Sequence, residues 1–135
     1  MCGIAGYLEL RRAAIDPSVA AQRLREMATA IAHRGPDDEG IYIDGPVGLT
    51  HRRLSIIDPA PHGRQPMQRG PIVVSYNGEI YNYRELRREL ESVGEEFHTE
   101  TDTEVLLAAF RHWGKQAFER FNGMFALALW DSSAQ

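Results

Sequence analysis

Strand-like and helix-like segments follow one another unevenly along this chain, and their order limits the folds open to it. Strand patterns come in runs, at residues 2–8, 41–43, 47–57, 72–76 and 124–130. Helical patterns lie between these runs instead of following each strand. Because a parallel βαβ array needs a helix after nearly every strand, this order predicts an α+β fold.

Turn and cap signals divide the segments further. Helices are predicted to begin at three caps: Asp16 before Pro17, Asn82 with Glu85 three residues on, and Thr101 with Glu104 three residues on. Asn-Gly dipeptides are strong hairpin signals, so Asn77-Gly78 predicts a tight turn after strand 72–76. The segment 58–70 is rich in proline, glycine and histidine and predicts a loop.

Length and composition exclude several kinds of protein. The 135 residues suffice for one domain, and the net charge of -4 gives no general affinity for nucleic acid or anionic membranes. A single cysteine forms neither an internal disulfide nor a two-cysteine zinc site, and the histidines lack metal-ligand spacing, so no metal is expected. The chain begins without a signal-peptide pattern and has no long apolar run, which predicts a cytoplasmic protein without a membrane segment.

Cys2 has two interpretations. Free cysteines are commonly buried, so it can be a small core residue. Alternatively, removal of Met1 would give Cys2 both a thiol and a free α-amino group, and the ordinary pKa of such an amino group, about 7.7–8.0, lies close to neutral pH. That group can take the thiol proton without a separate histidine, as in N-terminal nucleophiles. The position alone leaves both interpretations open.

Asn77-Gly78 also has a second interpretation. Instead of forming a turn, the side-chain amide of Asn77 and the backbone N–H of Gly78 can both donate to one oxyanion. Donors of this kind contribute about 2.7–4 kcal/mol each in acyl transfer. The dipeptide alone does not distinguish a turn from an oxyanion hole.

Charged residues near these positions offer contacts for a substrate, and each has a structural alternative. Arg52 and Arg53 follow one another in a strand pattern, so they face opposite sides and one of them can turn inward to bind a carboxylate. A surface ion pair is the alternative. Glu79 or Asp102 could hold an ammonium group, although a carboxylate at a helix start, where Asp102 lies, is favoured by the helix dipole alone.

Seven segments of the chain together resemble one family. They are MCGIAGY (1–7), HRGPDDEG (33–40), HRRLSIID (51–58), QPM (65–67), YNGEIYNYRELR (76–87), TDTEVLL (101–107) and FNGMFALALWD (121–131). In this order they resemble the class II glutamine amidotransferase domain of the N-terminal-nucleophile (Ntn) hydrolases, nearest to the glutaminase domain of glutamine-hydrolysing asparagine synthetases. The resemblance implies a four-layer αββα sandwich over residues 1–135, truncated at its C-terminal end.

For the reaction, the resemblance implies an enzyme that hydrolyses L-glutamine. Cys2 resembles the nucleophile, its α-amino group the base, and Asn77 and Gly78 the oxyanion hole. The thiolate would attack the side-chain amide, release ammonia and leave a γ-glutamyl thioester, which water then hydrolyses to glutamate.

For substrate binding, the resemblance implies contacts to both ends of the glutamine backbone. Arg53 resembles the arginine that binds the α-carboxylate. Glu79 and Asp102 resemble the residues that hold the α-ammonium group. The backbone of the next residues after Arg53 would line the pocket: Leu54, Ser55, Ile56 and Ile57.

The same resemblance implies partners outside this chain. In the family, ammonia passes to a C-terminal synthetase domain, where ATP and Mg²⁺ serve the activation of aspartate, and no segment here resembles that domain's pyrophosphate-binding loop. No cofactor is expected within residues 1–135. The alternatives are a different acceptor in the further domain, or a non-catalytic module that senses glutamine or pairs with a partner. A sheet edge left open by truncation would allow a homodimer.

Overall fold

The computed structural model describes residues 2–10, 15–54 and 63–134, which form two antiparallel sheets and the helices that cover them. The strands are β1 (Gly3–Leu8), β2 (Asp38–Asp44), β3 (Val47–Arg53), β4 (Met67–Arg69), β5 (Ile72–Ile80) and β6 (Gly123–Asp131). The α-helices are α1 (Pro17–Ala30), α2 (Tyr83–Ser92), α3 (Asp102–Trp113) and α4 (Ala117–Arg120), with 3-10 turns at Ala32–Arg34 and Gly114–Gln116.

Each sheet contains three of these strands. The first has the order β1-β3-β2 and the second the order β4-β5-β6, and every neighbouring pair is antiparallel. The sheets face each other, since Val47 and Leu49 of β3 pack with Val73 of β5. Helix α1 covers the first sheet, and α3 covers the second with α2 beside it. The layers are therefore helix, sheet, sheet and helix, as the family resemblance implies.

Strand β5 contributes to both halves of the core, because its side chains alternate between two faces. Val74 and Tyr76 point toward the helices and share a buried cluster with Leu106 of α3. Val73 points the other way and packs on the first sheet. By the same alternation, position 77 falls on the face that looks toward the first sheet.

Two buried hydrogen bonds link the sheets. Ser75 Oγ donates to the Thr50 carbonyl at 3.2 Å, and His51 Nε2 lies 3.0 Å from the Tyr76 carbonyl oxygen. A carbonyl only accepts, so Nε2 carries the ring proton. His51 is 1% exposed, and burial lowers its pKa to about 4, with the positive charge of Arg53 acting in the same direction.

We expect this histidine to make the fold sensitive to acid. The unfolded chain binds a proton on histidine near pH 6.5, whereas folded His51 binds one only near pH 4. Between these values the unfolded state holds more protons, so the His51 contribution to stability is complete above pH 6.5 and is lost as the pH falls toward 4. From pH 7 to pH 4 the loss in unfolding free energy is about 3 kcal/mol.

His51→Gln is the variant that isolates this effect. Glutamine can still donate to the Tyr76 carbonyl but does not titrate. The carboxylates that also titrate in acid are common to both proteins, so they cancel in the comparison. Urea denaturation at pH 7, 5.5 and 4 should show a smaller loss of unfolding free energy for the variant, and equal losses would contradict the role of His51.

Two of the three predicted helix caps are confirmed. Asp16 Oδ1 accepts from Ser18 N at 2.8 Å and begins α1. The Thr101 hydroxyl accepts from Glu104 N at 3.3 Å and begins α3. The Glu104 carboxylate does not complete the predicted capping box, because it accepts from His98 N and Thr99 N instead of Thr101 N. Helix α3 ends at Gly114, which has a positive φ of 59°. These local signals therefore set both ends of α3, and its start at Thr101 and Asp102 lines the pocket described below.

The predicted cap at Asn82 and the predicted loop at 58–70 are wrong in part. Asn82 precedes α2, but its side chain makes no capping bond. Its Nδ2 donates to the Arg120 carbonyl at 3.0 Å and its Oδ1 accepts from Asn122 N at 2.9 Å. Within 58–70, Met67–Arg69 form β4, which pairs with β5. In both cases, contacts with residues distant in the sequence determine the conformation: Asn82 bonds to Arg120 and Asn122, and β4 pairs with β5.

The predicted turn at Asn77-Gly78 is wrong, because both residues lie inside β5. Asn77 pairs with Ala126 and Gly78 with Phe125 of β6. A Cβ atom at Gly78 would lie 2.5 Å from the Phe125 Cα and would overlap the Met124 carbonyl oxygen. The glycine is needed because two strands approach closely here, not because the chain reverses.

Candidate active site

A pocket of about 190 Å³ opens where the first sheet meets β5 and the start of α3. Seven of the residues singled out in the sequence line it: Cys2, Arg53, Leu54, Asn77, Gly78, Glu79 and Asp102. The other three, Ser55, Ile56 and Ile57, lie outside the described residues, as does Met1. Antiparallel pairing and the capped start of α3 bring together residues that lie far apart in the chain.

Cys2 directly precedes β1 and lies beside the end of β3. The pairing of Gly3 with Arg52 sets this position. The backbone N–H of Leu54 donates to Cys2 Sγ at 3.4 Å, and the Leu54 carbonyl oxygen lies 3.7 Å from the same sulfur. Cys2 is only partly buried. Its thiol is therefore at the pocket wall, next to a backbone donor that can stabilise a thiolate.

Asn77 and Gly78 enter the pocket from β5. The Oδ1 atom of Asn77 is buried and has no hydrogen-bond partner among the described residues. Buried amide groups normally have partners, so no hydrogen bond at Oδ1 fixes this amide among the described residues, and its Nδ2 is the atom that can donate to an oxyanion. Gly78, the next residue, is exposed at the pocket wall. The two residues therefore offer a side-chain amide and a backbone N–H to the pocket that Cys2 also lines.

The two adjacent arginines face opposite sides of β3. Arg53 is 7% exposed and lines the pocket, where Gly63 lies so close that a Cβ there would overlap the guanidinium. Arg52 instead donates to the Gly35 carbonyl at 2.9 Å and forms an ion pair with Glu39 at 2.8 Å. Arg53 is thus the cation that faces the pocket.

Asp102 is the first residue of α3 and is 5% exposed. Its Oδ2 accepts two hydrogen bonds, from the Tyr76 hydroxyl at 2.7 Å and from Ile80 N at 3.0 Å. These bonds join the helix start to β5, so the helix dipole alone does not account for the carboxylate. Glu79 lies on β5, between Tyr76 and Ile80, and is exposed at the pocket wall.

The sequence alone does not single out other residues that shape the pocket. Gln65 is 8% exposed; its Oε1 accepts from Tyr76 N at 2.6 Å and its Nε2 donates to Thr103 Oγ1 at 3.3 Å. Gln65 and Tyr76 lie within the segments QPM and YNGEIYNYRELR, so the resemblance marks them. Their residue types suggest no reaction chemistry, because their contribution is buried hydrogen bonding.

Two kinds of site are not found in the part of the chain that the structure describes. No group of three or more His, Cys, Asp and Glu residues there is arranged to hold a metal ion. Its helices are also too short or too polar for any of them to cross a membrane.

Comparison with known proteins gives a match along the whole chain. Residues 1–135 match the model of the glutamine amidotransferase domain. The chain belongs to this family. The glutamine-hydrolyzing asparagine synthetase 1 of Bacillus subtilis is 42% identical over 135 residues, covering 98% of this chain and 21% of that protein. The protein of the same name from Arabidopsis thaliana is 37% identical over 134 residues, covering 98% and 22%. The amidotransferase domain thus spans about a fifth of the length of these relatives.

A solved structure of similar fold supports the layer arrangement of the amidotransferase domain. The glutamine phosphoribosylpyrophosphate amidotransferase of Bacillus subtilis matches 67% of this chain and 22% of its own, with a TM-score of 0.56 and 22% sequence identity. This likeness concerns the fold. The predicted α+β fold, an Ntn-hydrolase-type αββα sandwich, is confirmed.

Proposed function

We propose that this domain hydrolyses L-glutamine to glutamate and ammonia through a thioester on Cys2, as the glutaminase half of a longer ATP-dependent asparagine synthetase. The convergence of a thiol, an amide, an arginine and two carboxylates on one pocket carries the proposal. Each of these groups has a counterpart in glutamine. The thiol and amide suit the side-chain carboxamide, the arginine suits the α-carboxylate, and the carboxylates suit the α-ammonium group.

The first step forms a bond between Cys2 Sγ and the side-chain carbonyl carbon. The α-amino group of Cys2, freed by removal of Met1, takes the thiol proton and gives it to the leaving ammonia as the C–N bond breaks. The Leu54 N–H, 3.4 Å from Sγ, stabilises the thiolate. The Asn77 amide and the Gly78 N–H stabilise the charge on the carbonyl oxygen. Water then hydrolyses the thioester, releases glutamate and restores the thiol.

Substrate orientation follows from the charges that face the pocket. The buried guanidinium of Arg53 can bind the α-carboxylate through two parallel hydrogen bonds. Asp102 and Glu79 are proposed to hold the α-ammonium group. The proposed pocket wall is completed by the backbone of Leu54, Ser55, Ile56 and Ile57.

The acceptor of the ammonia in the longer protein is proposed to be aspartate, because the relatives described above are asparagine synthetases. ATP and Mg²⁺ would serve that C-terminal synthetase domain, and no step within residues 1–135 uses them. An amidotransferase with a different acceptor is the alternative. Incubating the natural full-length protein with glutamine, ATP, Mg²⁺ and aspartate should yield asparagine, and glutamate release without asparagine would favour that alternative.

An electrophilic glutamine analogue tests the thiol chemistry directly. We expect it to modify the natural protein at Cys2 and to abolish glutaminase activity in step with labelling, while excess L-glutamine protects. Cys2 is the single cysteine of the 135 residues, so a mass shift on the N-terminal peptide assigns the adduct. A processed N-terminus that stays unlabelled would favour a non-catalytic module that senses glutamine.

We expect Arg53→Lys to raise the KM for glutamine by roughly tenfold or more, with little change in kcat. Lysine keeps the positive charge but cannot make the two-pronged contact that a guanidinium makes with a carboxylate. Steady-state kinetics of glutamate release by the natural full-length protein would measure both constants.

Arg52→Lys is the matched control for this substitution. Arg52 is the neighbouring residue on β3, yet it binds the Gly35 carbonyl and Glu39 outside the pocket. Its replacement should leave the KM unchanged. An unchanged KM in Arg53→Lys as well would remove Arg53 from the binding site.

A further inference from the structure

Tyr76 is a buried pocket residue to which the proposed reaction assigns no role. It is 2% exposed, and its ring packs at a tilt against Phe125 with the centroids 6.4 Å apart. Its hydroxyl donates a 2.7 Å hydrogen bond to Asp102 Oδ2. Buried tyrosine hydroxyls usually find a partner, but here the partner is a carboxylate proposed to bind the substrate.

Within residues 2–10, 15–54 and 63–134, the Asp102 carboxylate is held on one side only. Both of its hydrogen bonds, from the Tyr76 hydroxyl and from Ile80 N, end on Oδ2. Among the described residues, Oδ1 accepts none. Two donors on the same oxygen restrict rotation about the Cβ–Cγ bond and leave the second oxygen for a ligand. With the hydroxyl removed, only the backbone donor of Ile80 would oppose that rotation.

Tyr76 itself is fixed by contacts within the fold. Its N–H donates to Gln65 Oε1 at 2.6 Å, and its carbonyl accepts from His51 Nε2 at 3.0 Å. Burial raises the pKa of Tyr76 above its ordinary value, and the charge of Asp102 adds to the effect. The phenol therefore keeps its proton and stays a donor, and its position does not depend on a ligand.

We propose that Tyr76 is a positioning residue, whose hydroxyl orients the Asp102 carboxylate so that Oδ1 faces the α-ammonium group of the substrate. This inference rests on the proposed glutaminase function and deepens it. On this proposal, the hydrogen bond from Tyr76 on β5 to Asp102 on α3 contributes to substrate selectivity. It favours α-amino acids over the corresponding acids that have no amino group.

Tyr76→Phe in the natural full-length protein tests the inference. Phenylalanine keeps the ring and its packing on Phe125 but lacks the donor. We expect the KM for glutamine to rise about tenfold, with kcat changed by less than about twofold. The inhibition constant of glutamate should rise with the KM. Glutarate has the two carboxylates of glutamate but no amino group, so its inhibition constant should not change.

Phe125→Leu is the matched control for packing. It removes the ring contact with Tyr76 and leaves the bond between hydroxyl and carboxylate in place. A disturbance that acts through packing alone should shift the inhibition constants of glutamate and glutarate by the same factor. The ratio of the two constants therefore separates orientation of Asp102 from loosening of the pocket.

The outcomes discriminate between the inference and the function on which it rests. A selective loss for glutamine and glutamate in Tyr76→Phe supports the positioning role. Equal shifts for glutamate and glutarate, or an unchanged KM, overturn that role and leave the glutaminase function standing. A wild-type protein that releases no glutamate from glutamine overturns the proposed function and the inference together.

Discussion

Cys2→Ala is expected to reduce glutamine hydrolysis by the natural full-length protein by at least about 10⁴-fold. The substitution removes the atom that forms the thioester, and the residual rate would come from binding and oxyanion donors alone. Glutamine binding should survive, because the proposed contacts to its α-carboxylate and α-ammonium group do not involve the sulfur. Glutamate release would measure the first effect and isothermal titration calorimetry with glutamine the second.

The base can be tested separately from the nucleophile. An uncleaved residue placed before Cys2 keeps the thiol and its contact with Leu54, but converts the α-amino group into an amide that cannot take a proton. We expect a loss of hydrolysis comparable to that of Cys2→Ala. If the extended protein keeps its activity, another group is the base, and the N-terminal-nucleophile mechanism is wrong even though Cys2 attacks.

Local signals predicted the elements whose ends depend on neighbouring residues. The caps at Asp16 and Thr101 and the stop at Gly114 satisfy backbone groups within a few residues, so they can be seen in one sequence. Asn77-Gly78 has an equally strong local signal and is a strand, because pairing with β6 determines its conformation. That partner follows three helices later, and an Asn-Gly hairpin signal contains no information about it.

The same distinction holds in the pocket. Cys2, Arg53 and Asp102 could be proposed in advance because a thiol, a guanidinium and a carboxylate each suggest a chemistry. Gln65 and Tyr76 could not, since an amide and a phenol become informative only when their hydrogen-bond partners are known. Residues that react with or bind the substrate are therefore easier to find in a sequence than residues that hold them in place.

Strand β5 shows why the site and the core are hard to separate. β4 pairs with β5 only as far as Val74. Beyond that point Gln65 and His51 serve the backbone of Tyr76 as hydrogen-bond partners. The next position, Asn77, supplies an amide to the pocket. A substitution at Gln65 or His51 would therefore be expected to disturb both stability and the geometry of the site.

Asn77→Ala is expected to lower kcat for glutamine hydrolysis by about 10²–10³-fold, the usual effect of losing one oxyanion donor, with little change in KM. Asn77 is the better target than Gly78, whose contribution is a backbone N–H that only proline would remove, and proline inside β5 would also disturb the strand. A side chain at Gly78 would also collide with β6, so lost activity there would not report on catalysis. Steady-state kinetics and thermal unfolding of the natural full-length protein would separate the two effects.

Asn82→Ala gives a matched control within the same NGEIYN segment. The Asn77 Oδ1 has no hydrogen-bond partner among the described residues. Asn77→Ala should therefore change the unfolding temperature little. Asn82 lies outside the pocket and bonds to the Arg120 carbonyl and to Asn122 N, so its removal should lower the unfolding temperature and leave kcat unchanged. If Asn77→Ala lost stability and activity in parallel, as a structural residue would, the oxyanion role would have to be abandoned.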